Sequence, residues 1–132
     1  MRVMPHLVDM AGREREVRER VGAQLVAAGT MSREELEADW RAWRAIERWL
    51  AGKSLGQDIG FAELELATAR ALQRNSAKAD ADPGNAAVVE RSDAISAIHS
   101  RVAHERAWRD DLNRQLRAEA DARRQQGRVV AA

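Results

Sequence analysis

From Ala86 to Gln126 the chain carries neither proline nor glycine, and its large apolar residues recur at helical spacing. Val88, Ile95, Ile98, Val102, Trp108, Leu112 and Leu116 fall on one stripe, which weakens at Glu105 and Arg109. A single helix over 86–126 would be ~60 Å long at 1.5 Å per residue. A compact chain of this size has a radius of gyration of ~14 Å. A straight helix of that length overhangs any globular body the rest of the chain can build. After Leu116 there is little apolar surface to bury, so the projecting face is left for water, a second subunit or a partner. Gly127 is the expected stop, followed by a polar tail.

The helix with the best-marked ends is 33–51, and it holds three of the four tryptophans. Ser32 with Glu35 is a capping box, in which the serine hydroxyl accepts from the Glu35 amide and the carboxylate returns to the Ser32 amide. Met31 and Leu36 are placed for a hydrophobic staple. Glu34, Glu35 and Glu37 complement the positive end of the helix dipole, and Arg48 the negative end. Gly52 suits the left-handed position beyond the last turn. Leu36, Trp40, Trp43, Ile46 and Leu50 form one apolar stripe, widened by Trp49. Tryptophan interleaved with arginine also suits base stacking. Here the aromatics coincide with the helix's own apolar stripe, so core is the expected role.

Three further segments complete the chain. Pro5 is expected to block an early helix, leaving residues 1–8 extended, with Asp9 capping a helix over 9–29. Its stripe is Met10, Val17, Val21, Leu25 and Ala28. Within it, residues 13–20 read REREVRER, a solvated face with Glu14–Arg18 and Glu16–Arg20 at the four-residue spacing. The interleaved glutamates argue against a basic nucleic-acid arm. A turn at 29–32 makes the first two helices an antiparallel hairpin. Gly56 and Gly60 break the chain before a third helix over 59–75, with Asp58 as its cap and Phe61, Leu64, Thr68 and Ala71 as its stripe. Residues 76–85 read as a polar loop, with Asp82-Pro83 or Asn85 capping the last helix.

Composition narrows the class. The 132 residues suit one domain and carry a net charge of +1, so no strong polyanion field is implied. With no cysteine, disulfide scaffolds and thiol-ligated metals are excluded. No run approaches the ~20 apolar residues of a membrane span, and the first residues do not form a signal peptide. A cytoplasmic protein is the expectation. Much of the apolar content is alanine; there is one phenylalanine and no tyrosine. The core is therefore thin, which favours self-association or a partner. Arginine well above lysine points, as a coding argument, to a GC-rich bacterial genome or its phage.

No catalytic or ligand-binding motif stands. Gly52-Lys53-Ser54 ends like a phosphate-binding loop, but Glu47 occupies the required first glycine. His104-Glu105 begins a zinc-protease pattern that Trp108 interrupts, and His99 and His104 lie about 140° apart around a helix. Ser100, His104 and Asp111 share a helical face, but Asp111 is ~10 Å along the axis from His104, too far to orient the ring. No catalytic, cofactor or metal residue is assigned, no cofactor is expected, and no small-molecule substrate is evident. Trp108 fits either the core of the last helix or an interface. Arg101, His104 and Arg109 beside it make the candidate interaction surface, because Trp and Arg are enriched at binding hot spots. From Arg101 to Ala132 eight arginines face five acids, a mild basic excess.

The expected fold is all-α: an antiparallel helical hairpin, a third helix pairing with the fourth, and a long C-terminal helix in a single helical domain, a bundle with coiled-coil-like character. The expected function is a non-enzymatic protein–protein interaction module. An accessory, scaffold or inhibitor protein of bacterial or phage origin would fit, docking through a helix face with another protein or itself. A homo-oligomer, first of all a dimer, is expected. The alternative is an oligomeric protein that binds duplex DNA, of a phage packaging or regulatory type.

Overall fold

The computed structural model describes the backbone of residues 5–131 and the side chains of 6–128. Four helices make up nearly all of it: α1 (Pro5–Ala27), α2 (Arg33–Leu50), α3 (Phe61–Ala81) and α4 (Ala86–Ala131). Among the described residues there is no strand, and no helix is long and apolar enough to cross a membrane.

The helix ends show which local signals decided. α1 starts at Pro5, not at Asp9. Proline has a helical φ and does not block the helix here, which is already formed at Pro5. Residues 1–4 of the expected extended lead-in lie outside the described residues. α1 closes on Gly29 at φ 73°, where the Thr30 amide reaches back to the Leu25 carbonyl at 3.0 Å. α2 begins as expected: Ser32 Oγ accepts from the Glu35 amide at 3.1 Å. Only this half of the capping box forms. Gly52, at φ 82°, ends α2, and the Lys53 amide bonds the Arg48 carbonyl at 2.9 Å.

α3 is capped at Gly60, whose amide donates to Glu63 Oε2 at 2.7 Å. The expected cap, Asp58, sits in the left-handed region at φ 64° instead. α3 runs to Ala81, six residues past the expected end at 75, so residues 76–81 are helix and the loop shrinks to 82–85. The stretch Ala77–Ala81 contains no breaker, and three of its five residues are alanine, the strongest helix former. Asn85 is the α4 cap, its Oδ1 accepting from the Val88 amide at 3.3 Å. α4 continues through Gly127 to Ala131. One exposed glycine costs a helix ~1 kcal/mol, too little to stop it without a capping turn.

The helices pack as two hairpins. α1 lies along α2 and α3 along α4, while α2–α3 and α1–α4 touch more sparsely. The core joins them through Trp43, Ile46, Leu64, Ile95, Ile98 and Val102. Trp49 meets Phe61 edge-to-face, with ring centroids 5.2 Å apart. Trp43 and Trp49 are therefore core. Trp40 is only half-buried; its indole N–H donates to Glu19 Oε1 at 2.9 Å and Arg44 lies over its ring.

α1 packs on a different face from the one its apolar stripe suggests. Met10 of the expected stripe is buried, but the rest of the buried line is Leu7, Ala11, Glu14, Arg18 and Gly22, whereas Val17, Val21 and Leu25 stay half-buried and Ala28 is exposed. Small residues explain the choice. A side-chain carbon on Gly22 would sit 2.5 Å from Leu36 Cδ1, so glycine is what allows α1 this close to α2. Glu14 and Arg18, expected on a solvated face, are thereby carried inside at 3% and 8% exposure.

Candidate interaction surface

Two features could meet a partner: the free end of α4, and a cleft between the two hairpins. The last fully covered residue of α4 is Val102. Arg106 still reaches α3, bonding Glu65 Oε2 at 2.7 Å, and the Arg109 guanidinium lies 4.6 Å from the Phe61 ring centroid. Past that point, among the described residues, the side-chain ion pairs are Arg114–Asp111 and Arg124–Asp121, both internal to α4. From Asp110 to Ala131 the helix projects for about 30 Å.

The projecting end carries an apolar ridge. Trp108 is 57% exposed, and Leu112 and Leu116 are exposed with it. These three stand four residues apart, so they form a single i±4 row. Trp108 is thus not part of the core. The other candidate residues lie around it. His104 is exposed, Arg101 is half-buried, and Arg109 is tied to Glu105 by a 2.9 Å ion pair as well as to Phe61. Of the four, Trp108 and His104 are free to meet a partner, while Arg109 is partly spent holding α4 against α3. The Ser100, His104, Asp111 row forms no catalytic relay: Asp111 accepts from Arg114 and Gln115. His99 Nδ1 is 2.9 Å from Thr68 Oγ1, a link between α3 and α4.

The second feature is an inter-hairpin ion cluster. Glu14 accepts from Arg91 Nε at 2.8 Å, from Arg91 Nη2 at 2.9 Å and from Arg18 Nη1 at 3.0 Å. Arg18 Nε donates to Asp39 Oδ2 at 2.5 Å, and its guanidinium lies 4.9 Å from the Trp43 ring centroid. Burial alone would raise the Glu14 pKa, but the hydrogen bonds and charges of Arg91 and Arg18 outweigh it and hold the group below its ordinary value. Glu14 thus links α1 to α4, and Arg18 links α1 to α2. Arg74 of α3 lies within the field of the same groups. Desolvation lowers its pKa, and Asp39 opposes that shift.

Beside the cluster is a cleft of about 540 Å³ walled by all four helices. The stripe residues Val17, Val21 and Leu25 line it from α1, facing Met31 and Leu36. The 14–18 spacing is visible in the sequence, where it reads as a solvated pair; in the fold both residues are buried. The usable signal was that Glu14 and Arg18 continue the Leu7–Ala11 line, which is visible only once Ala11 and Gly22 are recognised as packing residues. Compared with known protein families, characterised proteins and solved structures, the chain shows no match.

Proposed function

We propose that this chain is a non-enzymatic interaction protein that works by helix-face docking, and that its first occupant is a second copy of itself. The uncovered α4 ridge carries this reading: three large apolar side chains on a helix that no other described element covers. The ridge is nearly symmetrical about Leu112. A two-fold axis there sets Leu112 against Leu112 and each Trp108 against Leu116 of the partner, an isologous contact. Two i±4 rows interdigitate at about −50°, so the helices cross rather than coil along their length. Crossing also carries like-charged neighbours such as Glu105 and Glu119 away from each other. One crossing buries less than a standard interface of ~1,600 Å², so the dimer is weak, with Kd in the micromolar range or above. Such a protein would suit an accessory or scaffold role in the cytoplasm of a bacterium or in a phage-infected cell.

Molar mass by light scattering across a concentration series tests it. The wild type is expected to move from monomer to dimer. Trp108→Ala and Leu112→Arg are expected to stay monomeric with unchanged thermal melts, because neither residue supports the core. A wild type that remains monomeric throughout refutes self-docking. Duplex DNA is the second reading, favoured by one observation: Arg117, Arg124 and Arg128 share the face of α4 opposite the ridge and are all exposed. That reading requires a mass increase with duplex DNA at low salt that reverses as salt is added.

A further inference from the structure

The α1 stripe that the fold leaves out of the core needs a role of its own. Val17, Val21 and Leu25 form an apolar row ~12 Å long and remain half-wet along the cleft wall. Met31 and Leu36 oppose them, also half-buried. Four cations, Arg18, Arg74, Lys78 and Arg91, line the same space with only two carboxylates, Glu35 and Asp39.

The pairing leaves a positive surplus. Arg18 is satisfied by Glu14 and Asp39, and Arg91 by Glu14. Arg74 and Lys78, both exposed at the cleft, make no ion pair among the described residues. With Glu14 beside the cleft, the four cations Arg18, Arg74, Lys78 and Arg91 stand against three carboxylates, Glu14, Glu35 and Asp39, and the cluster is one anion short. Guanidinium is the side chain best shaped to take a carboxylate with two parallel hydrogen bonds.

We infer that the inter-hairpin cleft binds a single-chain amphiphile with a carboxylate head, its head at Arg74 and Lys78 and its chain along Val17, Val21 and Leu25. The size of the cleft sets the class. Two turns of peptide helix, ~10 Å across and ~11 Å tall, take up ~850 Å³, more than the cleft of about 540 Å³, so a docked helix does not fit inside it. A medium-length acyl chain does, in a space typical of small-ligand sites with an apolar wall and few polar groups. The ligand would bridge α1 and α2 to α3 and α4 where the hairpins touch sparsely, fixing their relative placement. This site is separate from the α4 ridge.

Calorimetric and NMR titration with decanoate, below its micelle concentration, tests the inference on the intact protein. Decanol supplies the chain without the charge, and acetate the head without the chain. Saturable one-to-one binding of decanoate is expected, with decanol and acetate at least ~10-fold weaker, the worth of a charge-assisted hydrogen bond. Methyl shifts are expected at Val21, Leu25 and Leu36. Arg74→Gln, an exposed position whose loss leaves the core intact, is expected to weaken decanoate about tenfold and leave decanol unchanged. The inference is overturned by no saturable decanoate binding, by equal binding of decanol, by an Arg74→Gln protein that binds as well as wild type, or by shifts confined to Trp108, Leu112 and Leu116.

Discussion

Removing the Glu14 carboxylate, as Glu14→Ala, tests whether the ion cluster holds the hairpins together. Glu14 is 3% exposed and accepts three hydrogen bonds from two arginines. Breaking a buried pair from one side costs ~3–5 kcal/mol, because the remaining charge stays buried and unpaired. The two partners differ here. The Arg91 side chain is 34% exposed and can turn into solvent, whereas Arg18, at 8%, cannot. Arg18 also keeps Asp39. The low end, ~3 kcal/mol, is therefore expected. In a chain of this length that lowers Tm by roughly 10 °C. Urea denaturation of both proteins at neutral pH measures it.

The pH dependence adds a second check. The folded pKa of Glu14 lies below its ordinary 4.5, so its stabilisation is complete above that value and is lost as pH falls through the folded pKa. The difference between wild type and Glu14→Ala is expected to be constant at neutral pH and to shrink on acidification below 4.5. A difference under ~1 kcal/mol at neutral pH, typical of a surface ion pair, would mean that Glu14 is solvated and that the α1 face is wrongly assigned.

Two further outcomes follow from the packing. Trp43→Ala empties the largest fully buried side chain and is expected to cost ~3–5 kcal/mol by urea denaturation, in contrast to Trp108→Ala, which should leave stability within ~0.5 kcal/mol. Gly22→Val drives a branched side chain into Leu36 and is expected to destabilise by ~1–3 kcal/mol; an unchanged midpoint would show that α1 and α2 are not in close contact there.

Residue spacing sufficed for the existence and type of the four helices, the hairpin order and the tryptophan core of α2. Each rests on local rules. The Ser32 cap, the left-handed Gly52 and the step from Trp43 to Ile46 to Leu50 act within one or two turns and need no knowledge of the neighbours. The uninterrupted run after Ala86 likewise makes α4 too long for its own body. Tertiary structure decided what depends on competition between faces. α1 has an apolar row at Val17, Val21 and Leu25 and a small-residue row through Ala11 and Gly22. Close approach of backbones favoured the second, because Gly22 admits Leu36 and Arg18 finds both Trp43 and Asp39 there. The same choice buried Glu14 against Arg91, 77 positions along the chain, a contact that no local pattern encodes. It also left the apolar row to wall the cleft. Trp108 was likewise undecided by its spacing: α3 begins at Phe61 and reaches α4 no farther than Arg109, so the stripe that is core at Ile98 becomes an exposed ridge at Trp108.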